Sequence, residues 1–206
     1  MSRPFHGFRE GVVKQSLLTA SVLLVWVFGL TAQVTSVEFG PELEGWEPSG
    51  HGWSVREGRL IGEVAEGEPP AWLAWRGDLP PNFVLECDVK CSGDGEGGLL
   101  YRAAAKRGGW RGYEFRIDAR ADRYGRLYEF GRRGLIARRG ERVSVSTTNV
   151  RPQVVGVVPD PPTFPDRWQR LRIRVRGGSV LHRVGDRDVL ELADEWRDAP
   201  REGRLV

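Results

Sequence analysis

The chain reads as an all-β protein, an antiparallel two-sheet β-sandwich or jelly roll, preceded by an N-terminal hydrophobic signal or anchor helix. Three observations point there. Beyond residue 46, short apolar runs recur roughly every ten residues, with Gly, Pro and Asp between them. In the best of these runs apolar and polar residues alternate strictly, which is the period of a half-buried strand. No stretch of the domain carries a helical period. Many short strands, each with one apolar and one polar side, hide their apolar sides by packing sheet against sheet.

At 206 residues, with 40% apolar and 29% charged residues, the chain has the material for one globular domain with a sizeable core. Its formal charge is +3 and its pI about 9.1. The basic residues are nearly all Arg, against Lys14, Lys90 and Lys106. Acidic residues are interspersed among them, which argues against a nucleic-acid groove.

Three segments follow in order. In residues 1–33, Arg3, Arg9 and Lys14 precede an uncharged run whose hydrophobic heart is residues 17–30, followed by Thr31 and Ala32. That is the grammar of a signal peptide or of a membrane anchor. Cleavage near Ala32 would leave the large Leu30 three positions upstream, a poor site, so an uncleaved anchor stays open. In either case the basic N-terminal flank sends the domain outward, to the periplasm or the extracellular space. Residues 34–45 read as a linker and residues 46–206 as the folded domain.

Within that domain, residues 53–55 and 59–64 form a hairpin about Glu57 and Gly58. Residues 71–76 and, after the turn DLPPN, residues 83–91 are the next strands. Phe83, Leu85, Cys87, Val89 and Cys91 take alternate positions of that last run, so both cysteines share its core side. Four residues of strand hold them ~13 Å apart. A disulfide needs Cα atoms within about 7 Å, so two buried free thiols are expected.

Residues 99–101 and 113–117 flank a loop of Gly, Arg and Lys. Tyr113, Phe115 and Ile117 point one way, leaving Glu114, Arg116 and Asp118 on the wet side. Hairpin pairing then sets Arg102 near the two carboxylates. A solvated row of weak ion pairs would look the same, but Gly97 and Gly98 beside it leave room for a ligand to approach. Residues 124–130, 135–137 and 143–147 are further strands, and residues 151–166, with five prolines, read as a long loop.

Residues 168–178, WQRLRIRVRGG, are the clearest strand. Leu171, Ile173 and Val175 alternate with Arg170, Arg172, Arg174 and Arg176, a stripe that needs solvent or carboxylates on its polar side. A second hairpin over residues 179–192 turns at Gly185 and Asp186. His182 sits mid-strand in it, where a lone His is structural more often than catalytic.

The succession GWSVREGRLIGE, LPPNFVLECDVK, GGLLYR, GYEFRID, GRLYEF and DRWQRLRIRVRGGSVLHRVGDRDVLEL resembles the 3-keto-disaccharide hydrolase family. The resemblance covers most of residues 46–192, in order. It implies a concanavalin-like jelly roll acting on glycosides already oxidised to a ketone at ring carbon 3. By position it implies catalytic roles for Glu114, Asp118, Arg102 and His182. Gly97 and Gly98 stand where the family has Asn and Ser, Arg116 stands in place of Gln, and Arg183 and Val184 stand in place of Trp and Leu. Residues 203–206 resemble the opening of a strand that the family continues, so the domain is expected to be truncated there.

The chemistry is intelligible from the residue types. A ketone at carbon 3 acidifies the carbon-2 proton, which a carboxylate such as Glu114 can abstract while the oxygen on carbon 1 leaves. Arg102, or a divalent cation held by Glu114 and Asp118, would stabilise the enolate. Two carboxylates also serve ordinary glycosidases, so only the resemblance favours the keto route. The competing reading is a carbohydrate-binding module without catalysis, with Trp46, Trp53, Trp72, Trp75 and Trp110 as stacking candidates and Trp110 the best of them. Arg116, Tyr128 and Trp110 are the expected substrate contacts. Carbohydrate is the expected partner under both readings.

Overall fold

In the computed structural model the backbone of residues 15–28, 31–65, 67–93, 95–159, 161 and 167–206 is described, with side chains from residue 38 onward. The strands are β1 (Gln15–Phe28), β2 (Thr31–Val37), β3 (Trp46–Ser49), β4 (Trp53–Arg56), β5 (Arg59–Ala65), β6 (Trp72–Trp75), β7 (Phe83–Ser92) and β8 (Glu96–Lys106). They continue as β9 (Gly109–Asp118), β10 (Leu127–Phe130), β11 (Gly134–Ala137), β12 (Glu141–Val145), β13 (Gln153–Val157), β14 (Gln169–Arg176), β15 (Ser179–Val184) and β16 (Arg187–Asp194). The described residues contain no helix long and apolar enough to cross a membrane.

One large sheet runs β13-β12-β16-β15-β14-β7-β1-β5-β4, with β2 paired to β1. Its pairings are antiparallel except β12 with β16. The facing sheet runs β11-β10-β9-β8, and β3 pairs with β6 beside it. Residues 203–206 join these two pieces. Leu100 and Val206 exchange backbone hydrogen bonds of 2.7 and 2.8 Å, Ala103 and Arg204 exchange bonds of 3.0 and 2.9 Å, and the Trp75 amide donates to the Leu205 carbonyl at 2.9 Å. A two-layer β-sandwich results.

Its core is built by alternation. Phe83, Leu85, Cys87, Val89 and Cys91 of β7 and Leu171, Ile173 and Val175 of β14 are buried between the layers, opposite Tyr113, Phe115 and Ile117 of β9. The arginine stripe of β14 finds its carboxylates on the neighbouring strand. Asp88 lies opposite Arg170 and Glu86 opposite Arg172 in register, with ion pairs of 2.8 and 3.1 Å. These pairs are exposed and contribute little individually.

One segment differs from expectation. Residues 151–166 are not a single loop, because β13 lies within them and adds an edge strand to β12. Apolar Val154, Val155 and Val157 made a strand legible there, and the five prolines masked it. In the expected linker, Phe39 is buried and packs on Trp46 with ring centroids 5.3 Å apart. Gln15–Phe28 is extended and pairs with β5 and β7. The signal or anchor helix expected over residues 1–33 also involves residues 1–14, 29 and 30, which lie outside the described residues.

Cys87 and Cys91 are buried free thiols, as their shared side of β7 requires. Burial and the neighbouring Asp88 push the Cys87 thiol well above its ordinary pKa, so it stays protonated and unreactive. Native protein should therefore resist alkylation, and unfolded protein should take up two alkyl groups. A two-proton mass deficit that reverses on reduction would refute the assignment.

Candidate functional site

The centre of the site is Glu114, on the side of β9 turned away from the sandwich core. The 0% exposure of Tyr113 and Phe115 fixes the core side, and alternation sends Glu114 and Arg116 the other way. Leu100 of β8 and Tyr128 of β10 lie directly opposite Glu114 in register. Its carboxylate is only 3% exposed. Oε1 lies 3.3 Å from the Arg116 guanidinium, and Oε2 is buried without a hydrogen-bond partner.

Gly98 makes this position possible. A Cβ there would fall 2.5 Å from Glu114 Oε1 and 2.6 Å from its Cγ, so any side chain at residue 98 would displace the carboxylate. Burial raises the Glu114 pKa above the usual carboxylate range, opposed by the Arg116 charge. Arg116 in turn lies over the Tyr128 ring, 5.4 Å from its centroid. Glu114, Arg116 and Tyr128 thus form one cluster of acid, base and aromatic.

The remaining expected residues lie elsewhere. Arg102 is not beside the carboxylates. A bulge between Tyr101 and Ala104 breaks the hairpin register, and Arg102 adopts a φ of 50° there. Its buried guanidinium donates to the Pro81 and Pro200 carbonyls, tying two loops to β8. Asp118 shares the outer side of β9 by alternation, but four residues place it ~13 Å along the strand from Glu114. It accepts from the Arg120 amide at 2.9 Å and from the Arg120 guanidinium at 3.0 and 3.2 Å, closing a turn.

His182 faces the core, not the cleft margin. It is 0% exposed, its Nε2 lies 2.8 Å from the Tyr101 hydroxyl, and its ring packs on Phe115 at 4.8 Å. Val180 and Val184, two residues to either side, are buried on the same face, so the alternation was in the sequence. Trp110 is half-buried rather than free, with the Arg204 guanidinium 5.9 Å from its ring centroid.

The divalent cation considered from the sequence does not fit this donor set. Asp118 is committed to Arg120, the Arg116 side chain occupies the space beside Glu114, and among the described residues no group of three or more His, Cys, Asp or Glu is placed to hold a metal ion.

The structure pairs Trp72, one of the five stacking candidates, with Phe130, which the sequence did not single out. Trp72 of β6 meets Phe130 of β10 edge to face, centroids 5.2 Å apart, above a floor of Leu100, Ala103, Ala74 and Val206. Gly112 opposite Phe130 leaves room for Ala103, whose Cα would lie 2.8 Å from a Cβ at that position. Trp72 belongs to a strand distant in sequence, and only the joining of the sheets through residues 203–206 brings it alongside. Trp72, Phe130 and Trp110 pack on this small cluster, whose Leu100 lies opposite Glu114 in register.

Residues 35–204 match the family model of the 3-keto-alpha-glucoside-1,2-lyase-like domain. Among solved structures, the carbohydrate binding module CBM66 from Bacillus subtilis is similar, with a TM-score of 0.52 and 18% identity, over 78% of this chain and 84% of that one. At that identity the likeness speaks for the fold. No curated protein sequence matches the chain.

His182 yields a stability signature. Burial lowers its pKa to about 3, against roughly 6.5 in the unfolded chain. Between those values the unfolded state binds a proton that the folded state does not. The stability owed to the neutral ring is therefore complete above pH 6.5 and is lost as pH falls toward 3, at up to about 1.4 kcal/mol per pH unit. Urea unfolding across this range should show the acid limb in the wild type. The limb should flatten in His182→Leu, even though that variant is less stable at pH 7 for loss of the Tyr101 contact.

Proposed function

Because the chain belongs to the 3-keto-alpha-glucoside-1,2-lyase-like domain family, we propose that it cleaves glycosides carrying a ketone at ring carbon 3, with Glu114 as the proton-transfer group. The observation that carries this reading is the buried Glu114 carboxylate, whose Oε2 has no protein partner and whose Oε1 faces Arg116. A carboxylate raised by burial is a stronger base than an exposed one, and the Arg116 charge opposes the shift.

In the proposed reaction Glu114 Oε2 removes the carbon-2 proton. The electron pair moves into the carbon 2–carbon 3 bond, and the enolate oxygen on carbon 3 takes the negative charge beside Arg116. The pair then returns to form the carbon 1–carbon 2 double bond as the carbon 1–oxygen bond breaks, and the leaving oxygen recovers a proton from Glu114. Addition of water across the double bond gives net hydrolysis. Arg116 assumes the role expected of Arg102. Trp72 and Phe130 supply the apolar wall for the ring.

Glu114→Gln keeps the shape and removes the base. Release of the aglycone from an aryl 3-keto-glucoside should fall by about 10²- to 10⁴-fold, with the circular dichroism spectrum unchanged. Full turnover by the folded variant would overturn the assignment of the base. The aromatic wall also supports a second reading, a glycan-binding module. Binding of the keto-glucoside by wild-type protein without any turnover would select it.

We also propose export, from the basic residues Arg3, Arg9 and Lys14 ahead of the apolar run. Fusion of residues 1–40 should carry a reporter out of the cytoplasm, and retention would sink the idea. The mass of the mature protein separates cleavage from anchoring. Here the packing sets a condition, because β1 is sandwiched between β5 and β7 and its removal would expose both edges.

A further inference from the structure

We propose a second carbohydrate site on the opposite, outer face of the large sheet, centred on Trp168. A cavity of about 380 Å³ lies there, lined by Arg59, Asp88, Trp168, Gln169 and Arg170. Trp168 is 42% exposed, the one aromatic residue among the exposed large hydrophobic side chains of the described residues. An indole left in water at the rim of a cavity presents a flat apolar surface of the kind on which a sugar ring stacks.

Alternation explains the cluster. Gln169 of β14 faces the core, so Trp168 and Arg170 on either side of it face outward. Asp88 lies opposite Arg170 in register on β7, and Arg59 begins β5 across the sheet. The Arg59 guanidinium lies 5.6 Å from the Trp168 ring centroid and fixes one wall. Arg170 grips Asp88 with two bonds, Nε to Oδ1 at 3.0 Å and a terminal nitrogen to Oδ2 at 2.8 Å, so both groups are held in place.

The ligand class follows from the pairing of functions. Asp88 offers acceptor lone pairs directly beside the donors of Arg170, and a pair of neighbouring sugar hydroxyls, each both donor and acceptor, complements such an arrangement. A strongly anionic ligand would meet the Asp88 carboxylate, while Arg170 is already neutralised by it and Arg59, over the Trp168 ring, has Glu57 at 3.7 Å. The site therefore takes an uncharged pyranose unit of a glycan. Its size lies in the usual range of small-ligand sites. It shares no residue with the Glu114 cluster and does not depend on turnover there.

The test follows the Trp168 indole N–H resonance of the full chain, assigned by its loss in Trp168→Phe, during titration with maltohexaose, cellohexaose and xylohexaose. A saturable shift with at least one of them, unchanged by 0.5 M sodium chloride and weakened at least tenfold in Asp88→Asn, is expected. Turnover of the keto-glucoside by Trp168→Phe should match wild type whatever the fate of the Glu114 assignment. An indole resonance unmoved by all three oligosaccharides would overturn the proposal, and so would a shift seen only with oligogalacturonate and abolished by salt, which would mark an anion site.

Discussion

The placing of β6 beside the Glu114 sheet depends on the pairing of residues 203–206 with β8 on one side and β6 on the other. Without it, β8 would be an open edge and the β3–β6 pair would have no fixed place against it. The close passage sets its own demands. Gly203 adopts a φ of 136°, and a Cβ there would fall 2.5 Å from the Arg102 carbonyl carbon, so only glycine fits. The bulge at Arg102 and the C-terminal ribbon meet at this point. Arg102 then reaches across to the Pro81 and Pro200 carbonyls, holding the loop before β7 and the loop before the ribbon. A residue expected to do chemistry instead supports the frame on which the chemistry would be mounted.

A second polar structure closes one end of the sandwich. Glu129 and Asp194, both 0% exposed, are bridged by the Arg133 guanidinium, and the Tyr113 hydroxyl donates to Asp194 at 2.5 Å. Arg111 adds a second positive charge at 3.0 Å from Glu129, so two carboxylates face two guanidinium groups. Trp196 lies under Arg132 and Arg133, 4.1 and 4.7 Å from their guanidinium carbons. Removing one member would leave a buried charge unpaired, which costs far more than the intact network contributes. The network ties β9 and β10 of one layer to the end of β16 in the other, and so holds the Glu114 strand against the core.

What was legible in the sequence was whatever depends on period two. The sides of β7, β9 and β14, the hairpin at Gly185 and Asp186, the paired burial of Cys87 and Cys91, and the outward direction of Glu114 and Arg116 all follow from alternation within one strand. Alternation also contained the fate of His182 between Val180 and Val184, where positional resemblance pointed the other way. Pairings between distant strands were not legible. Nothing local links Trp72 to Phe130, Glu86 and Asp88 to the arginine stripe, or Trp168 to Arg59. The bulge that turned Arg102 aside is equally silent, because inserting one unpaired residue leaves no compositional mark in a run of Ala and Arg.

Glu114 and Asp118 show how one strand can carry two similar groups into different roles. Both are almost fully buried, at 3% and 1% exposure. Asp118 has both oxygens engaged by Arg120 and the Arg120 amide, so its charge is spent on a turn. Glu114 has one oxygen beside Arg116 and the other without a partner, above a glycine that keeps the space open. An unpartnered buried carboxylate oxygen destabilises the fold unless something else meets it. Glycine in a strand interior weakens the strand unless close approach is required, and at Gly98 the Glu114 side chain requires it. Of the two carboxylates, Glu114 therefore keeps one oxygen without a hydrogen-bond partner among the described residues, at a position that Gly98 vacates for it.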